Sequence, residues 1–406
     1  MQAARPAHKL KVELERGPVV TIGFNRRGVM TGAGAALAMA GAARAQVQGD
    51  VAVMKFAMRG SQPVTTVFIG QHGPYIVLID TGNAVACSLR KDICESIGLK
   101  PTGFARVYGS TGTDTQIGYE AHDVTFGQAV SEKDVMFLGL DWPKGGIDGI
   151  LPLSVFTARP TDMDFQTGEM RLQLSGSVNR TGFRAVHAER VRQSNGAFVI
   201  DAVVEGSPAR LLVDTGASTT VSLASTFVRT HDLWDKHAHA MEHQFGGVTA
   251  AIGKAKLVRT PELKVGPYRF KDVVISLTNP RMTTLSDVDG LIGIELLRRF
   301  TLGFDRPAST LWLKPNEHLA DPYAYDHSGL TWEFKNGACV VVGVAPGSPA
   351  ETAGLKVGDK LYELTTQGQG LAWDYTLSGE PETVIQAPVE RDGKRLPLTM
   401  VLKDWL

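Results

Sequence analysis

Two identical triplets, Asp80-Thr81-Gly82 and Asp214-Thr215-Gly216, are the residues of this chain best suited to chemistry. Two carboxyl groups brought to one place cannot both ionise readily, so they hold a proton between them. The ionised member can then act as a base toward water while the neutral one acts as an acid toward a departing group. A single Asp-Thr-Gly would arise by chance in roughly one chain in ten of this length. The weight therefore falls on the second copy and on what surrounds each.

The surroundings match. Each triplet follows an apolar run, Ile76-Val77-Leu78-Ile79 or Leu211-Leu212-Val213, that reads as a buried strand delivering its acid to a sharp bend. Eight residues beyond each Asp stands a Ser followed by Leu, Ser88-Leu89 and Ser222-Leu223, and each Ser is expected to cap a helix. Downstream, Asp148-Gly149-Ile150-Leu151 and Asp289-Gly290-Leu291-Ile292 each precede another acid by 16 residues, Asp164 and Asp305. Met170 and Leu172 then occupy the same offsets as Leu311 and Leu313. This is an internal repeat of about a hundred residues or more.

The elements that must position the acids follow in order. The first unit spans 50–176, with strands at 64–69 and 75–79 around a turn at Gly73-Pro74. A helix from Ser88 to about Ile97 is stopped by Gly98, and a Gly- and Thr-rich hairpin follows around Tyr108 and Gly109. The second unit, 184–315, repeats the plan: a strand at 198–204, a turn at Gly206-Ser207-Pro208, the strand into Asp214, and a hairpin from Phe245 to Lys256. Ahead of that hairpin lie His231, His237, His239 and His243. On a helix, His239 and His243 would share a face able to hold zinc. No Cys accompanies them and the stretch is polar, so it reads as a solvated surface, with no metal or other cofactor expected.

Residues 314–327 are aperiodic and read as a linker. The tail, 328–406, predicts strands at 330–334, 338–344, 361–365, 383–390 and 396–402, with a short capped helix ended by Gly354 and a turn at Asp392-Gly393. The whole chain is therefore expected to be all-β.

Its 406 residues are ample for two or three cores. With 42 basic and 42 acidic side chains the formal net charge is zero, which argues against a general nucleic-acid or anionic-membrane binder. Residues 1–45 stand apart: Arg26-Arg27 precede a weakly hydrophobic, Ala- and Gly-rich stretch ending in Ala43-Arg44-Ala45. This resembles a twin-arginine export signal cleaved after Ala45, and implies an exported, periplasmic bacterial protein. The three cysteines, Cys87, Cys94 and Cys339, are an odd count and read as buried free thiols.

The two triplets, with the Asp-Gly-apolar segments behind them, resemble the retropepsin-type aspartic proteases. Phe304-Asp305-Arg306 and the strand ending in Leu313 are similar to the closing segment of pepsin-like lobes. The resemblance implies two closed β-barrel lobes forming a bilobal protease, a fused equivalent of the viral homodimer. It implies Asp80 and Asp214 as a catalytic pair sharing one proton, the established pattern of that family. Thr81 and Thr215 would hydrogen-bond across the lobes, Gly82 and Gly216 would let backbone approach the carboxylates, and the hairpin at Tyr108 and Gly109 would be a flap over a polypeptide substrate. A linker inside one chain favours internal pairing of the acids, hence a monomer.

Two departures stand out. Asn83 follows the first triplet, where it could bond Asp80 or shape the turn, while Ala217 follows the second. Pro152 stands where the second unit has Gly293, which suggests a locally altered strand. The tail resembles a bacterial PDZ domain through Ser348-Pro349-Ala350, Ala353-Gly354-Leu355 and Gly358-Asp359. Gly329, Leu330, Thr331 and Trp332 would form its loop for the C-terminal peptide of a partner, although only 371–377 remains for the helix bordering such a groove. An alternative stays open: an inactive protease fold whose tail carries a peptide-binding or scaffolding role.

Overall fold

The computed structural model describes residues 46–48, 50–83, 86–109, 112–127, 129–142, 146–190, 197–237, 239–246, 252–282, 287–335, 338–361 and 377–406. The export segment expected at 1–45 lies outside them. The described chain is mostly β-strand with a few short helices.

The first repeat contains β1 (Gln46–Gln48), β2 (Val51–Lys55), β3 (Ala57–Arg59), β4 (Gln62–Ile69), β5 (His72–Asp80), β6 (Cys87–Arg90), α1 (Lys91–Ser96), β7 (Lys100–Gly109), β8 (Gly112–Phe126), β9 (Val130–Leu140), β10 (Gly149–Pro152), β11 (Thr161–Asp164) and β12 (Glu169–Gln173). The second contains β13 (Arg184–Arg190), β14 (Phe198–Val204), β15 (Ser207–Val213), β16 (Val221–Leu223), α2 (Ser225–Thr230), β17 (Met241–Phe245), β18 (Gly253–Val265), β19 (Tyr268–Thr278), β20 (Gly290–Ile292), α3 (Ile294–Leu297), β21 (Phe300–Asp305) and β22 (Thr310–Pro315). The tail has β23 (Leu330–Lys335), β24 (Ala338–Val344), α4 (Pro349–Thr352), β25 (Lys360–Leu361), β26 (Val384–Arg391) and β27 (Lys394–Val401).

The repeat is structural. One sheet runs β3-β4-β5-β10-β6-β9-β8-β7, and a second contains the run β13-β14-β15-β20-β16-β19-β18-β17, the same order with every label raised by ten. Hairpins β11–β12 and β21–β22 meet side by side, with Thr161 opposite Phe304, Asp162 opposite Gly303 and Met163 opposite Leu302. Exchanging the repeats maps this pairing onto itself, so a local two-fold axis passes beside Asp162 and Gly303. One hydrophobic core continues through both repeats, whereas the tail builds its own around Leu330, Val341, Leu361 and Leu398.

The end of strand β5 is covered on both faces, which is why Val77, Leu78 and Ile79 are buried in succession, while β15 alternates buried Ala209, Leu211 and Val213 with half-buried residues. Each such side chain contributes about 1.5–3 kcal/mol by burial, so the strand ends are rigid platforms for the acids.

Two expectations fail here. Ser88 and Ser222 cap no helix; they lie in β6 and β16, and α1 and α2 begin after Arg90 and Ala224 without a side-chain cap. Strand pairing overrides the capping signature: a Cβ at Gly149 would come within 2.1 Å of Ser88 O, and one at Gly290 within 2.3 Å of Ser222 O. The Ser-Leu repeat therefore marks where an Asp-Gly strand crosses. The turn placed at Gly73-Pro74 is instead at residues 70–71, with Gly70 at φ +56, and Gly73-Pro74 lies within β5.

The segment read as a linker is pinned. Arg299, 1% exposed, donates to the carbonyls of Glu295, His318, Leu319, Asp321 and Pro322. The three cysteines are free and buried.

Candidate active site

Asp80 ends β5 and Asp214 follows β15, and the local axis brings their carboxyl groups into mutual hydrogen-bonding contact. Both keep a partly open face to solvent while protein surrounds the rest. Each repeat presses its triplet glycine against the other repeat's acid. A Cβ on Gly82 would lie 2.5 Å from the carboxyl carbon of Asp214, and one on Gly216 would lie 2.8 Å from that of Asp80. No side chain larger than hydrogen fits at either place.

The threonines lock this arrangement. Thr81 and Thr215 are fully buried. Thr81 Oγ1 donates to Val213 O at 2.8 Å and accepts the Thr215 N–H at 3.0 Å. Reciprocally, Thr215 Oγ1 donates to Ile79 O at 2.6 Å and accepts the Thr81 N–H at 3.1 Å. Four bonds thus cross between the repeats immediately beneath the acids.

A second tier fixes the strands. Asp148 Oδ2 accepts the Ile76 N–H at 2.9 Å, and Asp289 Oδ2 accepts the Arg210 N–H at 2.8 Å, four residues before each acid. The carbonyls of Asn83 and Ala217 accept from Leu153 N–H at 3.0 Å and Ile294 N–H at 2.8 Å. These Asp-Gly segments hold the loops from behind, a role the sequence signalled only as a repeated offset.

Burial is the main cause that raises the proton affinity of both carboxyls. For Asp80 the Asp214 charge adds to it, and the proton held toward Asp214 further favours the neutral form; it lies well above the usual carboxylate range. Asp214 is raised less decisively, because N–H groups of Gly216, Ala217 and Gly82 and the bond from Asp80 favour its charged form. The two carboxyls therefore hold one proton between them. Asn83 donates its backbone N–H to Asp80 Oδ1 at 2.9 Å, while its side-chain amide bonds Ala86 O at 2.9 Å, so the side chain shapes the turn.

The hairpin expected around Tyr108 and Gly109 is β7–β8, with Tyr108 opposite Thr113 and Gly109 opposite Gly112; its tip, 110–111, and the Tyr108 side chain lie outside the described residues. Its base reaches the first acid loop, since Ala105 packs with Leu138, Ala86 and Val107. Among the described residues no group of three or more His, Cys, Asp or Glu is arranged to hold a metal. The His-rich stretch is not helical at its end: His243 lies in β17 and meets Ser276 Oγ at 2.9 Å, His237 pairs with Glu205, and His239 is exposed.

In the tail, Gly329, Leu330, Thr331 and Trp332 do not form an open donor loop. Ser328 and Gly329 donate their N–H groups to Asp326 Oδ1 at 2.7 and 3.1 Å, and Leu330 donates to Ser328 Oγ at 3.1 Å. Thr331 Oγ1 donates to Glu242 O, and Trp332 packs on the tail core. Of the segment expected to border a groove, 371–376 lies outside the described residues, and Leu377 is buried.

A family model described as aspartyl protease matches residues 200–296, which include the second triplet and Asp289-Gly290. That match supports an aspartic protease fold and a peptidase activity. No curated protein matches the chain. Among solved structures, the aspartic proteinase from Irpex lacteus aligns at 15% identity over 67% of this chain and 99% of its own, with a TM-score of 0.46. Among the described residues no helix is long and apolar enough to cross a membrane.

Proposed function

We propose that this chain is an exported aspartic endopeptidase whose two catalytic acids, Asp80 and Asp214, come from the two repeats acting as lobes around one cleft. The observation that carries this reading is the reciprocal packing at the pair, where Gly82 abuts Asp214 and Gly216 abuts Asp80 above the four threonine bonds. An architecture that excludes a single methyl group beside either carboxylate keeps the two acids side by side, as a shared catalytic pair requires.

In this mechanism the ionised acid of the Asp80/Asp214 pair takes a proton from water as the oxygen attacks the scissile carbonyl. Its neutral partner gives its proton to the carbonyl oxygen as that oxygen gains charge, which leaves a diol. The C–N bond then breaks: the first acid passes its proton to the departing amine while a hydroxyl of the diol returns one to its partner, which leaves a carboxylic acid and restores the singly protonated pair. Activity therefore needs the singly protonated pair. It rises as pH climbs through the lower titration and falls as pH climbs through the upper one, and both titrations belong to the pair together. Because burial raises both, the active form persists to higher pH than an exposed pair of carboxylates would allow.

The Arg26-Arg27 segment with Ala43-Arg44-Ala45 supports export to a bacterial periplasm, and the strand-helix order with Ser348 capping α4 supports a PDZ-like tail. The self-satisfied loop at 326–330 argues against capture of a C-terminal carboxylate there.

Cleavage of a denatured-protein and a peptide-library substrate between pH 3 and 8 tests the reading, with Asp80→Asn and Asp214→Asn each checked for folding. Each substitution is expected to lower kcat/KM by at least about a hundredfold. A variant that keeps activity would remove its residue from the mechanism.

A further inference from the structure

The tail touches the body of the protein at an informative place. Strands β17 and β18 form the second repeat's hairpin and occupy the positions that β7 and β8 hold in the first. The tail grips both. From β23, Thr331 Oγ1 donates to Glu242 O, and Glu333 Oε1 accepts from Gln244 Nε2 at 3.0 Å. Thr331 and Glu333 alternate with Trp332, whose ring joins the tail core, so one face of β23 lies on β17. On β17, Glu242 and Gln244 alternate with His243, which points inward to Ser276. That strand is thus held on both faces.

The second grip is Arg259 of β18. Its Nε donates to Leu406 O at 2.9 Å, and its Nη2 donates to Asp404 Oδ1 and to the Tyr325 hydroxyl at 3.4 Å. Tyr325 also donates to Asp404, and its ring lies 5.8 Å from the guanidinium. A partly buried network in which each member fixes the others is stiffer than an exposed ion pair. In the first repeat the base of the hairpin rests on the small Ala105 and Leu138 cluster.

We propose that the tail is a strut on the second repeat's hairpin, with Arg259 as the positioning residue through which it fixes that wall of the substrate cleft. This rests on the peptidase reading for its consequence and on the tail contacts for its structure. A wall held in register costs a bound extended peptide less ordering, so the strut governs substrate affinity and leaves proton transfer at Asp80 and Asp214 alone.

The test uses the full chain with Arg259→Ala, Asp404→Ala and the pair combined, by hydrogen exchange and by peptide-cleavage kinetics. Exchange at 241–246 and 253–260 should quicken by about tenfold or more, while 100–109 and 112–126 stay unchanged. The double variant should match the single ones, because all break the same network. KM should rise by about three- to tenfold with kcat within about twofold, and Arg259→Lys should recover part of the loss. Unchanged exchange in the second hairpin overturns the strut, and so does an even quickening over both hairpins. Thr331→Val removes one contact from the other grip and should quicken β17 exchange alone. If the wild type cleaves nothing, the peptidase reading fails by itself, and hydrogen exchange still decides the strut.

Discussion

In the first repeat the acid loop and its supports carry Asn83, Arg90 and Pro152; the second has Ala217, Ala224 and Gly293 in the same places. Yet the backbone groups at the first two of those places behave alike. The carbonyls of 83 and 217 accept equivalent N–H groups, and the N–H groups of Arg90 and Ala224 donate to Asp148 O at 2.7 Å and Asp289 O at 2.8 Å. The Arg90 side chain adds a bond from its Nη1 to Asp148 Oδ1 at 3.2 Å, for which Ala224 offers no substitute. The requirement common to both repeats is backbone geometry around each acid, and side chains one layer behind are free to diverge when they leave that geometry intact.

The exchange of Pro152 and Gly293 tests this most severely. Gly293 donates its N–H to Thr220 O at 2.9 Å, and a Cβ there would lie 2.2 Å from Thr219 O and 2.7 Å from Ala217 O. Pro152 has no N–H to give, and its repeat instead extends β10 by one residue to pair with Asp80. Gly293→Pro should therefore destabilise by more than about 3 kcal/mol in denaturant unfolding, through a lost bond and a clash with backbone. Pro152→Gly should cost about 1 kcal/mol or less, mainly through the greater freedom of the unfolded chain. Equal costs would mean that the repeats do not share the backbone template.

A smaller effect probes where the repeats agree. Thr81→Val deprives the Thr215 N–H and the Val213 carbonyl of their partner, and Thr215→Val does the same for the Thr81 N–H and the Ile79 carbonyl. Each should cost about 2–3 kcal/mol, because buried groups are left unpaired. The two costs should be similar, and the double variant should lose less than their sum because the bonds form one network. Unequal losses would show that the local two-fold symmetry is not energetic.

Much of this was legible in the sequence for a physical reason. Buried strands on both sides of a two-fold axis force the same residue types to recur at the same offsets, so the triplets, the Asp-Gly segments and the closing strands stood out as a repeat. What escaped notice depends on contacts between distant strands. Ser88 and Ser222 carry the signature of helix caps, and only their carbonyls' closeness to Gly149 and Gly290 reveals them as strand residues. The bond from Thr331 to Glu242 joins residues 89 apart, and it leaves no periodicity in either segment. Arg299 reads in the sequence as one of two adjacent arginines, and its worth lies in five carbonyls brought together by the fold.

A further effect separates the two hairpins by pH. His243 faces Ser276, its ring lies 6.5 Å from that of Phe245, and burial pushes its imidazole down to about 4. Above about pH 6.5 the imidazole is neutral in both the folded and the unfolded chain and contributes no slope. As pH falls from there toward 4, the unfolded chain binds a proton that the fold refuses, so stability is lost; below about 4 the loss levels off. The loss is at most about 2 kcal/mol, because the ring is not wholly sealed from water. His243→Gln should flatten this part of the pH–stability curve and slow hydrogen exchange in β17 near pH 4.5 relative to wild type. The β7–β8 hairpin should show no such difference between the two proteins. Equal acid sensitivity in both hairpins, unaffected by the substitution, would place the titrating group elsewhere and remove this distinction between the repeats.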